Sequence, residues 1–386
     1  MTISTVALFP DFDEGFNLSM MLYANRLIEG LAAFYPALDV KLYKPRKTEF
    51  PDLFKPLLAK IPYVRFYSRE LFISRNITYP YLARRHQRQI NHILGHNNAN
   101  LAYHLDGART VVTCHDLQPI VAYADAPVRP KWLKWFERRI GGMARAARVI
   151  AISESTKKDI LKYTDVVEEK ISVVYQGVDN CFKPIRDEKL LDDIANKYGI
   201  DRRSRRIILN VANNQQRKNH EGILKAVRVL RDRNPDILLL HVGDTLHSGQ
   251  MELAKALGLA DILQDVGQVS QEDLVSLYNL ADVLLFPSFY EGCGWPILEA
   301  HACGTPVITS RTSSMPEMAG DAALIVDPYD IRDIANATAE VLINDHLRKS
   351  LIERGLQQVK KYSWENHVNG VISVYDDILS GERSVS

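Results

Sequence analysis

Residues 283–306 read Val-Leu-Leu-Phe-Pro-Ser-Phe-Tyr-Glu-Gly-Cys-Gly-Trp-Pro-Ile-Leu-Glu-Ala-His-Ala-Cys-Gly-Thr-Pro. The first four residues have the length and composition of a buried strand. Gly292 and Gly294 permit a tight turn and a close approach of backbone to a ligand. Pro296 suits the first turn of a helix, where its missing N–H costs nothing. The stretch therefore predicts a strand, a loop and a helix that begins near Trp295.

Two glutamates flank this predicted helix start. Glu291 lies in the loop, and Glu299 lies about one turn inside the helix. The free N–H groups and the dipole of a helix start form an anion site that suits a diphosphate. Carboxylates accept hydrogen bonds well from sugar and ribose hydroxyls. The alternative interpretation is structural, with the glycines making a turn and the glutamates capping or solvating the helix.

Apolar strands alternate with helices over the rest of the chain, in two series separated by residues 176–186, which resemble a linker. Strands of the first series are predicted at residues 5–10, 40–43, 110–114, 148–152 and 171–175. Strands of the second series are predicted at residues 206–211, 237–242, 262–266, 283–286 and 305–309. Predicted helices fall between them, and a final one is expected at Trp364–Leu379.

This alternation is typical of the α/β class, with parallel sheets covered by helices on both faces. We expect two Rossmann-like domains, residues 1–180 and residues 181–363, whose sheets face each other across a cleft. The C-terminal helix, residues 364–386, is expected to pack back on the first domain. Open parallel sheets bind ligands outside the carboxyl ends of their strands, so a site in the cleft is predicted.

Charge is unevenly distributed, although the 386 residues carry a net charge of only +1. Residues 1–180 contain 25 Lys and Arg against 18 Asp and Glu, and the remainder contains 23 against 29. The stretch 41–88 is the most basic, with 12 basic and three acidic residues. The basic half is expected to face anionic lipid or a phosphorylated acceptor. No nucleic-acid-binding motif accompanies it, and no nucleic-acid partner is expected.

Residues 130–145 predict a basic helix with an apolar stripe of Trp132, Leu133, Phe136 and Ile140. One interpretation is a helix that lies in a membrane interface. The other is a helix that packs on the first sheet and exposes a basic face. Aromatic residues within the basic stretch 41–88 favour the membrane interpretation.

Several sequence features favour a cytoplasmic location, and the inner face of the cell membrane is compatible with them. The first residues lack the basic region and the cleavage site of a signal peptide. No apolar run approaches the roughly 18 residues that span a bilayer. The chain has four cysteines, Cys114, Cys181, Cys293 and Cys303. They are too widely spaced in the sequence for a disulfide framework or a zinc site.

Residues 286–306 resemble the Glu-x7-Glu signature of the family-four retaining glycosyltransferases of GT-B fold. The downstream segment 313–328 is similar to the next segment of that family, and Asn213–Asn219 resembles its basic phosphate-binding loop. The spacing of Gly267-Gln-Val269 before a helix is similar to its nucleotide-base loop. The resemblance implies a GT-B fold and a nucleotide diphosphate sugar as donor substrate, with no cofactor and no metal.

The resemblance also implies roles for individual residues. Glu291 would contact the donor sugar, Glu299 the ribose, and Lys218 with Arg217 the diphosphate. The residues implied in catalysis are His115, Lys218 and Glu291. The residues implied in donor binding are Gly15, Arg217, Lys218, Val269, Glu291, Gly292, Cys293, Gly294, Trp295, Pro296, Ile297, Leu298 and Glu299. Many members carry an arginine where this chain has Ala212, so the diphosphate contacts depart from the family pattern.

The expected acceptor side lies in the first half of the chain. His115 follows a predicted strand, and the resemblance implies that it bonds a sugar hydroxyl or a main-chain group near the transferred sugar. Asp116 is expected either to orient His115 or to start the next turn. Gly15 resembles one glycine of the N-terminal loop of this family, which usually carries two glycines. Asp11 and Asp13 form an Asp-x-Asp, which binds a metal in another glycosyltransferase fold but is not expected to do so here.

Taken with the resemblance, the sequence predicts transfer of a hexosyl group, with GDP-mannose as first candidate, to a glycan or lipid-linked acceptor in surface polysaccharide synthesis. A nucleotide-sugar epimerase or phosphorylase of the same fold is an alternative. A non-catalytic subunit that binds a nucleotide sugar is another. A dinucleotide-dependent oxidoreductase is excluded, since no Gly-x-Gly-x-x-Gly follows the first strand.

Overall fold

The computed structural model describes residues 3–13, 18–45, 69–234 and 236–381. Two compact units divide the chain. The first comprises Met1–Gln176 together with Trp364–Ser386, and the second comprises Gly177–Ser363. Gly15, for which a donor contact was predicted, lies outside the described residues, as do residues 46–68 of the basic stretch 41–88.

In the first unit, the described residues form a six-stranded parallel sheet in the order β2-β1-β3-β4-β5-β6. The strands are β1 (Thr5–Phe9), β2 (Asp39–Leu42), β3 (Ile90–Ile93), β4 (Thr110–Cys114), β5 (Arg148–Ala151) and β6 (Ile171–Val173). The central strands are buried on both faces, because helices cover the sheet from either side.

The helices that follow these strands are α1 (Leu18–Phe34), α2 (Arg69–Ile73), α3 (Tyr79–Arg85), α4 (Gln118–Val121), α5 (Lys131–Ile140) and α6 (Glu154–Tyr163). A π-helical turn, Ser74–Thr78, joins α2 to α3. Ser153 caps α6, since its hydroxyl accepts a hydrogen bond from the backbone N–H of Thr156 at 3.0 Å. Short 3-10 segments occur at His96–Tyr103, Gly107–Arg109, Gly141–Arg145 and Glu168–Lys170.

In the second unit, the described residues form another six-stranded parallel sheet, in the order β12-β11-β10-β7-β8-β9. The strands are β7 (Arg206–Ala212), β8 (Ile237–Gly243), β9 (Leu263–Asp265), β10 (Val283–Phe286), β11 (Val307–Ser310) and β12 (Ala323–Val326). The helices are α7 (Glu188–Tyr198), α8 (His220–Arg231), α9 (Ser248–Ala256), α10 (Gln271–Leu280), α11 (Trp295–Cys303), α12 (Met315–Ala319), α13 (Ile331–Ile343) and α14 (Asp345–Gln358). Two 3-10 turns, Gln216–Lys218 and Val359–Lys361, complete this unit.

The last helix, α15 (Trp364–Gly381), belongs to the first unit and packs against α1. Gly30 allows this close approach, because a Cβ atom there would lie 2.6 Å from Cγ2 of Val368. The hydroxyl of Tyr35 donates to Oδ1 of Asn369 at 2.8 Å. Helix α15 thus joins the core of a unit that is otherwise built from the first half of the chain.

The structure confirms the α/β class and all ten predicted strands, and it adds β3 and β12. The sequence of β3, Ile-Asn-His-Ile, was not predicted because two polar residues interrupt its apolar pattern. His92 is nevertheless fully buried, because Nδ1 lies 2.7 Å from the hydroxyl of Tyr375 and Nε2 lies 2.7 Å from that of Thr113. A buried polar group is tolerated when it is hydrogen-bonded.

The interpretation of residues 130–145 as a helix whose apolar stripe enters a membrane is wrong. Leu133, Phe136 and Ile140 are buried in the core of the first unit, and the ring of Trp132 packs against Tyr123 at 5.8 Å. That stripe is therefore covered by protein. Over the stretches that the structure describes, no helix has the length and hydropathy needed to cross a bilayer.

Candidate functional site

The predicted donor residues of the second unit lie at the carboxyl edge of its sheet. β7 and β10 are neighbours at the middle of this sheet, and β7 leads on to β8 on one side while β10 leads on to β11 on the other. Such a point of divergence leaves a crevice outside the strand ends, and ligands of open α/β sheets bind there. The loop after β7 carries Arg217 and Lys218, and the loop after β10 carries Glu291.

The loop after β10 turns into α11, which begins at Trp295 as predicted. Gly294 precedes the helix with φ of 88°, a left-handed conformation that favours glycine, and Pro296 lies in the first turn. The side chains of Ile297 and Leu298 are fully buried, and the N–H of Ile297 donates to the carbonyl of Gly294. These two residues therefore hold the helix in place.

Two serines in the loop after β11 fix the conformation of residues 287–294, the loop after β10 that we call the donor loop. The buried Ser314 hydroxyl lies 2.9 Å from the carbonyl of Glu291 and 3.0 Å from that of Cys293. The Ser313 hydroxyl donates to the Glu291 carbonyl at 2.5 Å and accepts from the Glu291 N–H at 3.2 Å. Ser313 has φ of 54°, so its backbone is in the left-handed region. The two serines therefore bond the carbonyls of Glu291 and Cys293 to the loop after β11.

Glu291 brings the two predicted cations together. Its Oε1 lies 2.7 Å from Nζ of Lys218, and its Oε2 pairs with the guanidinium of Arg217. The guanidinium also donates to the carbonyl of Tyr290 at 3.0 Å. Nζ of Lys218 lies 4.9 Å from the centre of the Phe286 ring, within the range of a cation–π contact. Lys218 and Glu291 are both buried.

Burial and charge act in opposite directions on these groups. Burial alone would raise the pKa of Glu291, but the charges of Lys218 and Arg217 outweigh it, and the pKa lies below its ordinary value. Burial lowers the pKa of Lys218, and the Glu291 carboxylate opposes that shift. With Glu291 ionised, the three groups carry one net positive charge. A site of this charge attracts an anion such as a diphosphate.

Asn219 links the cation loop to the neighbouring loops. It has φ of 59°, and its side chain caps α8 by accepting from the N–H of Gly222 at 3.2 Å. Its amide group donates to the carbonyls of Pro287 at 3.1 Å and Pro328 at 2.8 Å. Ala212, where many family members carry arginine, is buried at the end of β7. Arg217 therefore extends toward Glu291 from a loop that Asn219 holds in place.

Glu299 lies within α11 and bonds a tyrosine of the neighbouring helix α10. The hydroxyl of Tyr278 donates to Oε2 of Glu299 at 2.7 Å. Part of the Glu299 surface remains accessible, yet the carboxyl group lies deep among protein atoms. This burial raises the pKa of Glu299 to about 7. Sequence reasoning missed Tyr278, because its partner lies 21 residues further along the chain and no local pattern joins the two.

The predicted base loop lies at the far side of the same edge, after β9. Gly267 has φ of 71°, and Val269 is partly exposed in front of α10. The side chain of Gln268 donates to Oδ1 of Asp244 at 3.2 Å, which ties this loop to the end of β8. The loops after β8 and β9 thus lie at the same carboxyl edge of the sheet as the loops after β7 and β10.

His115 lies after β4 in the first unit, as predicted, and its ring is held by the protein. Nε2 lies 2.8 Å from the carbonyl of Leu94, and Nδ1 lies 3.3 Å from the side-chain amide of Gln176. Burial lowers the pKa of His115 to about 4, so the ring is neutral near pH 7. The ring thus makes the main-chain contact that was one of the two considered for His115. Oδ1 of Asp116 accepts from the N–H of Gln118, which is the contact of a residue that starts a turn.

The Asp-x-Asp of the first unit does not present two carboxylates side by side. Asp11 is buried, and its Oδ1 accepts from the amide of Asn98 at 2.6 Å. Gly95 permits this packing, since a Cβ there would collide with the carboxylate of Asp11. Asp13 is exposed instead. The carboxylate of Asp11 therefore makes its hydrogen bond in the interior of its own unit.

Comparisons with known proteins bear on both units. Residues 193–358 match the family model described as glycosyl transferases group 1, and residues 23–180 match that of glycosyltransferase family 4. The O-antigen chain mannosyltransferase B of Escherichia coli is 30% identical over 276 residues, which are 69% of this chain and 70% of that protein. The serotype-specific mannosyltransferase WbdA of Escherichia coli is 28% identical over 71% of this chain. That alignment covers 34% of WbdA, so the chain spans about a third of the length of this relative.

Among solved structures, the sucrose-phosphate synthase of Thermosynechococcus elongatus superposes with a TM-score of 0.77 at 19% identity, covering 98% of this chain and 100% of that one. The two parallel α/β units are those of the GT-B fold class. With its two family-model matches and its relationship to the mannosyltransferase B, the chain belongs to the family-four glycosyltransferases.

Replacing Ser314 by alanine is expected to weaken binding of a nucleoside diphosphate about tenfold. The change removes the hydroxyl proton that the carbonyls of Glu291 and Cys293 share. Ser313 still donates to the Glu291 carbonyl, so the loss falls on the buried Cys293 carbonyl, at a cost of about 1–3 kcal/mol. Titration calorimetry with GDP and UDP measures the effect. Ser276→Ala is the matched control, because this buried serine bonds a carbonyl within α10. Equal affinities for the Ser314 and Ser276 variants would contradict the role given to Ser314.

Proposed function

We propose that the protein transfers a hexosyl group from a nucleotide diphosphate sugar to a hydroxyl of a glycan or lipid-linked acceptor in surface polysaccharide synthesis. The observation that carries the proposal is the pairing of Lys218 and Arg217 with Glu291 beside the start of α11. Two cations and a helix start suit a diphosphate leaving group, and an adjacent carboxylate suits sugar hydroxyls.

In the proposed reaction the bond between the anomeric carbon and the diphosphate oxygen breaks, and the acceptor oxygen bonds to the same face of the sugar. The acceptor proton passes to an oxygen of the departing diphosphate, and the anomeric configuration is retained. Lys218, Arg217 and the N–H groups of the loop at Gly292–Gly294 stabilise the charge that develops on the leaving group. His115 is neutral and is bonded to the Leu94 carbonyl. In this proposal it is a positioning residue and transfers no proton.

The nucleoside diphosphate needs two further contacts. Glu299 accepts hydrogen bonds from the ribose hydroxyls, and the loop at Val269 borders the base. No metal is required in this proposal, since side chains supply the positive charge. GDP-mannose is the first candidate donor, supported by the mannosyltransferases among the relatives.

The proposed location is the cytoplasm, with peripheral contact at the inner face of the cell membrane. The exposed face of α5 supports this contact. Trp135 is 52% exposed there, between the exposed basic residues Lys134 and Arg138. Aromatic rings and cations together favour an anionic lipid surface.

A nucleoside diphosphate is expected to raise the melting temperature of the protein, because it binds only the folded state. At a hundred times its Kd, a ligand stabilises a protein by about 2.7 kcal/mol. Melting curves with GDP, UDP and dTDP and their sugars measure this shift, and GDP is expected to give the largest. Absence of a shift with every nucleotide would refute the donor site.

Product analysis then tests the reaction. The bound nucleotide sugar is incubated with and without glycan and lipid-linked acceptors. Transfer to an acceptor supports the proposal. Formation of an isomeric nucleotide sugar without acceptor supports an epimerase instead, and binding without turnover on any acceptor supports a non-catalytic subunit.

A further inference from the structure

Two aromatic rings form an exposed pair at the same edge of the second sheet. Phe289 follows β10, and Tyr329 follows β12. Their ring centres are 4.8 Å apart at an angle of 23°, so the rings are stacked. Tyr329 is 72% exposed, and Phe289 is partly exposed. A large apolar ring that stays exposed in this way, beside a candidate site, indicates a contact surface for a ligand.

Backbone contacts fix this ring pair next to the cation loop. The N–H of Phe289 donates to the carbonyl of Arg217 at 2.7 Å. Asn219 donates to the carbonyl of Pro328, directly before Tyr329, at 2.8 Å. The two rings are therefore anchored on the loop that carries Arg217 and Lys218. Phe289 is also two residues from Glu291, so the ring pair and the candidate donor site share their supports.

Charged groups border the ring pair. Oδ1 of Asp327 accepts from the N–H of Tyr329 at 3.0 Å, and its other oxygen pairs with the guanidinium of Arg311. The Arg311 side chain is 64% exposed. A saccharide ring has a face of C–H groups and a rim of hydroxyls. An aromatic face beside an exposed guanidinium and a partly exposed carboxylate matches both parts, since the ring packs on the C–H face and the charged groups bond the hydroxyls.

We propose that Phe289 and Tyr329 form a saccharide-binding subsite that holds a pyranose ring of the glycan next to the donor site. This inference rests on the proposed function in taking a glycan as the ligand. It adds a binding site outside the residues that hold the nucleotide. The subsite gives the enzyme a contact with a sugar other than the one transferred.

The test compares wild type, Tyr329→Ala and Tyr329→Phe in binding to three probes, namely mannotriose, maltotriose and chitotriose. Saturation-transfer NMR and titration give the affinities. At least one trisaccharide is expected to bind wild type, with about tenfold weaker binding to Tyr329→Ala and nearly unchanged binding to Tyr329→Phe, because the phenyl ring keeps the stacking face. Tyr81→Ala is the matched control, since Tyr81 is a 59% exposed tyrosine of the first unit.

Binding of GDP and UDP is measured on the same variants. Nucleotide affinity is expected to remain unchanged in Tyr329→Ala, which separates this subsite from the donor site. The subsite is overturned if no trisaccharide binds wild type, or if Tyr329→Ala and Tyr81→Ala bind it equally. Failure of every nucleotide to bind wild type would instead overturn the proposed function.

Discussion

Lys218→Ala is expected to lower kcat for sugar transfer by about a hundred- to a thousandfold. Nζ of Lys218 lies 2.7 Å from Glu291 in a buried position, and a preorganised cation of this kind stabilises the charge of a departing diphosphate. Removal of one such group from a water-excluded site typically costs about 3–4 kcal/mol of transition-state stabilisation. Steady-state kinetics with the donor identified by melting curves measure the loss.

The control for Lys218 is Lys225→Ala. Lys225 lies on α8, pairs with Glu221 across one helical turn and is about half exposed. We expect wild-type kinetics for this variant. The Lys218 variant should keep a cooperative melting transition, because Arg217 continues to neutralise the buried Glu291 carboxylate. Wild-type kcat in a folded Lys218→Ala protein would refute the assigned role.

Glu299→Gln is expected to stabilise the empty protein above pH 7 while weakening nucleotide binding about tenfold or more. The pKa of Glu299 in the folded protein is about 7, above the ordinary value of 4.5, because the carboxyl is buried. Well below pH 4.5 the group is protonated in both the folded and the unfolded state and costs little. As pH rises toward 7 the unfolded chain ionises first, so the folded state loses stability, and above pH 7 the loss is complete.

The amide introduced by the Glu299→Gln substitution would keep an oxygen acceptor for the Tyr278 hydroxyl and would remove the buried charge. The upper limit of the gain is about 3 kcal/mol, from the difference between the two pKa values. Nucleotide affinity falls because an amide oxygen accepts weaker hydrogen bonds from the ribose hydroxyls than a carboxylate does. Melting curves from about pH 5.5 to about pH 8.5, with and without GDP, measure both effects.

Glu353→Gln, an exposed change on α14, is the control for Glu299. Its melting temperature should follow that of wild type over the whole pH range. A Glu299→Gln protein that is less stable than wild type at pH 8 would contradict the effect of burial. A variant that is more stable than wild type but binds GDP with wild-type affinity would support the raised pKa of Glu299. It would refute the role of Glu299 in binding the ribose.

Much of the fold could be predicted because its signals are local. Short, mainly apolar runs of four to six residues predicted ten strands, and glycine with proline predicted the start of α11. The strand β3 was missed because the hydrogen bonds that make His92 acceptable in a buried strand come from Thr113 and from Tyr375, 283 residues away. No local pattern carries that information.

The candidate site, like the fold, could be predicted from the sequence only in part. The sequence predicted Glu291 and Glu299 as groups that suit sugar hydroxyls, and its family resemblance implied Arg217 and Lys218 as the groups that face a diphosphate. Only the tertiary structure decided that Glu291 holds both cations, since it brings together loops that are 73 residues apart in sequence between Lys218 and Glu291. It also decided that both ring nitrogens of His115 bond the protein.

The sequence therefore determined the order of strands and helices, the α/β class and the chemical types at the strand ends, because these depend on neighbouring residues. The tertiary structure alone decided which side chains meet, as in the contacts of Ser314 with the donor loop and of Tyr278 with Glu299. It also stacked Phe289 on Tyr329. Parallel sheet topology brings distant loops to one edge, and the pairings made there are set by three-dimensional distance and burial.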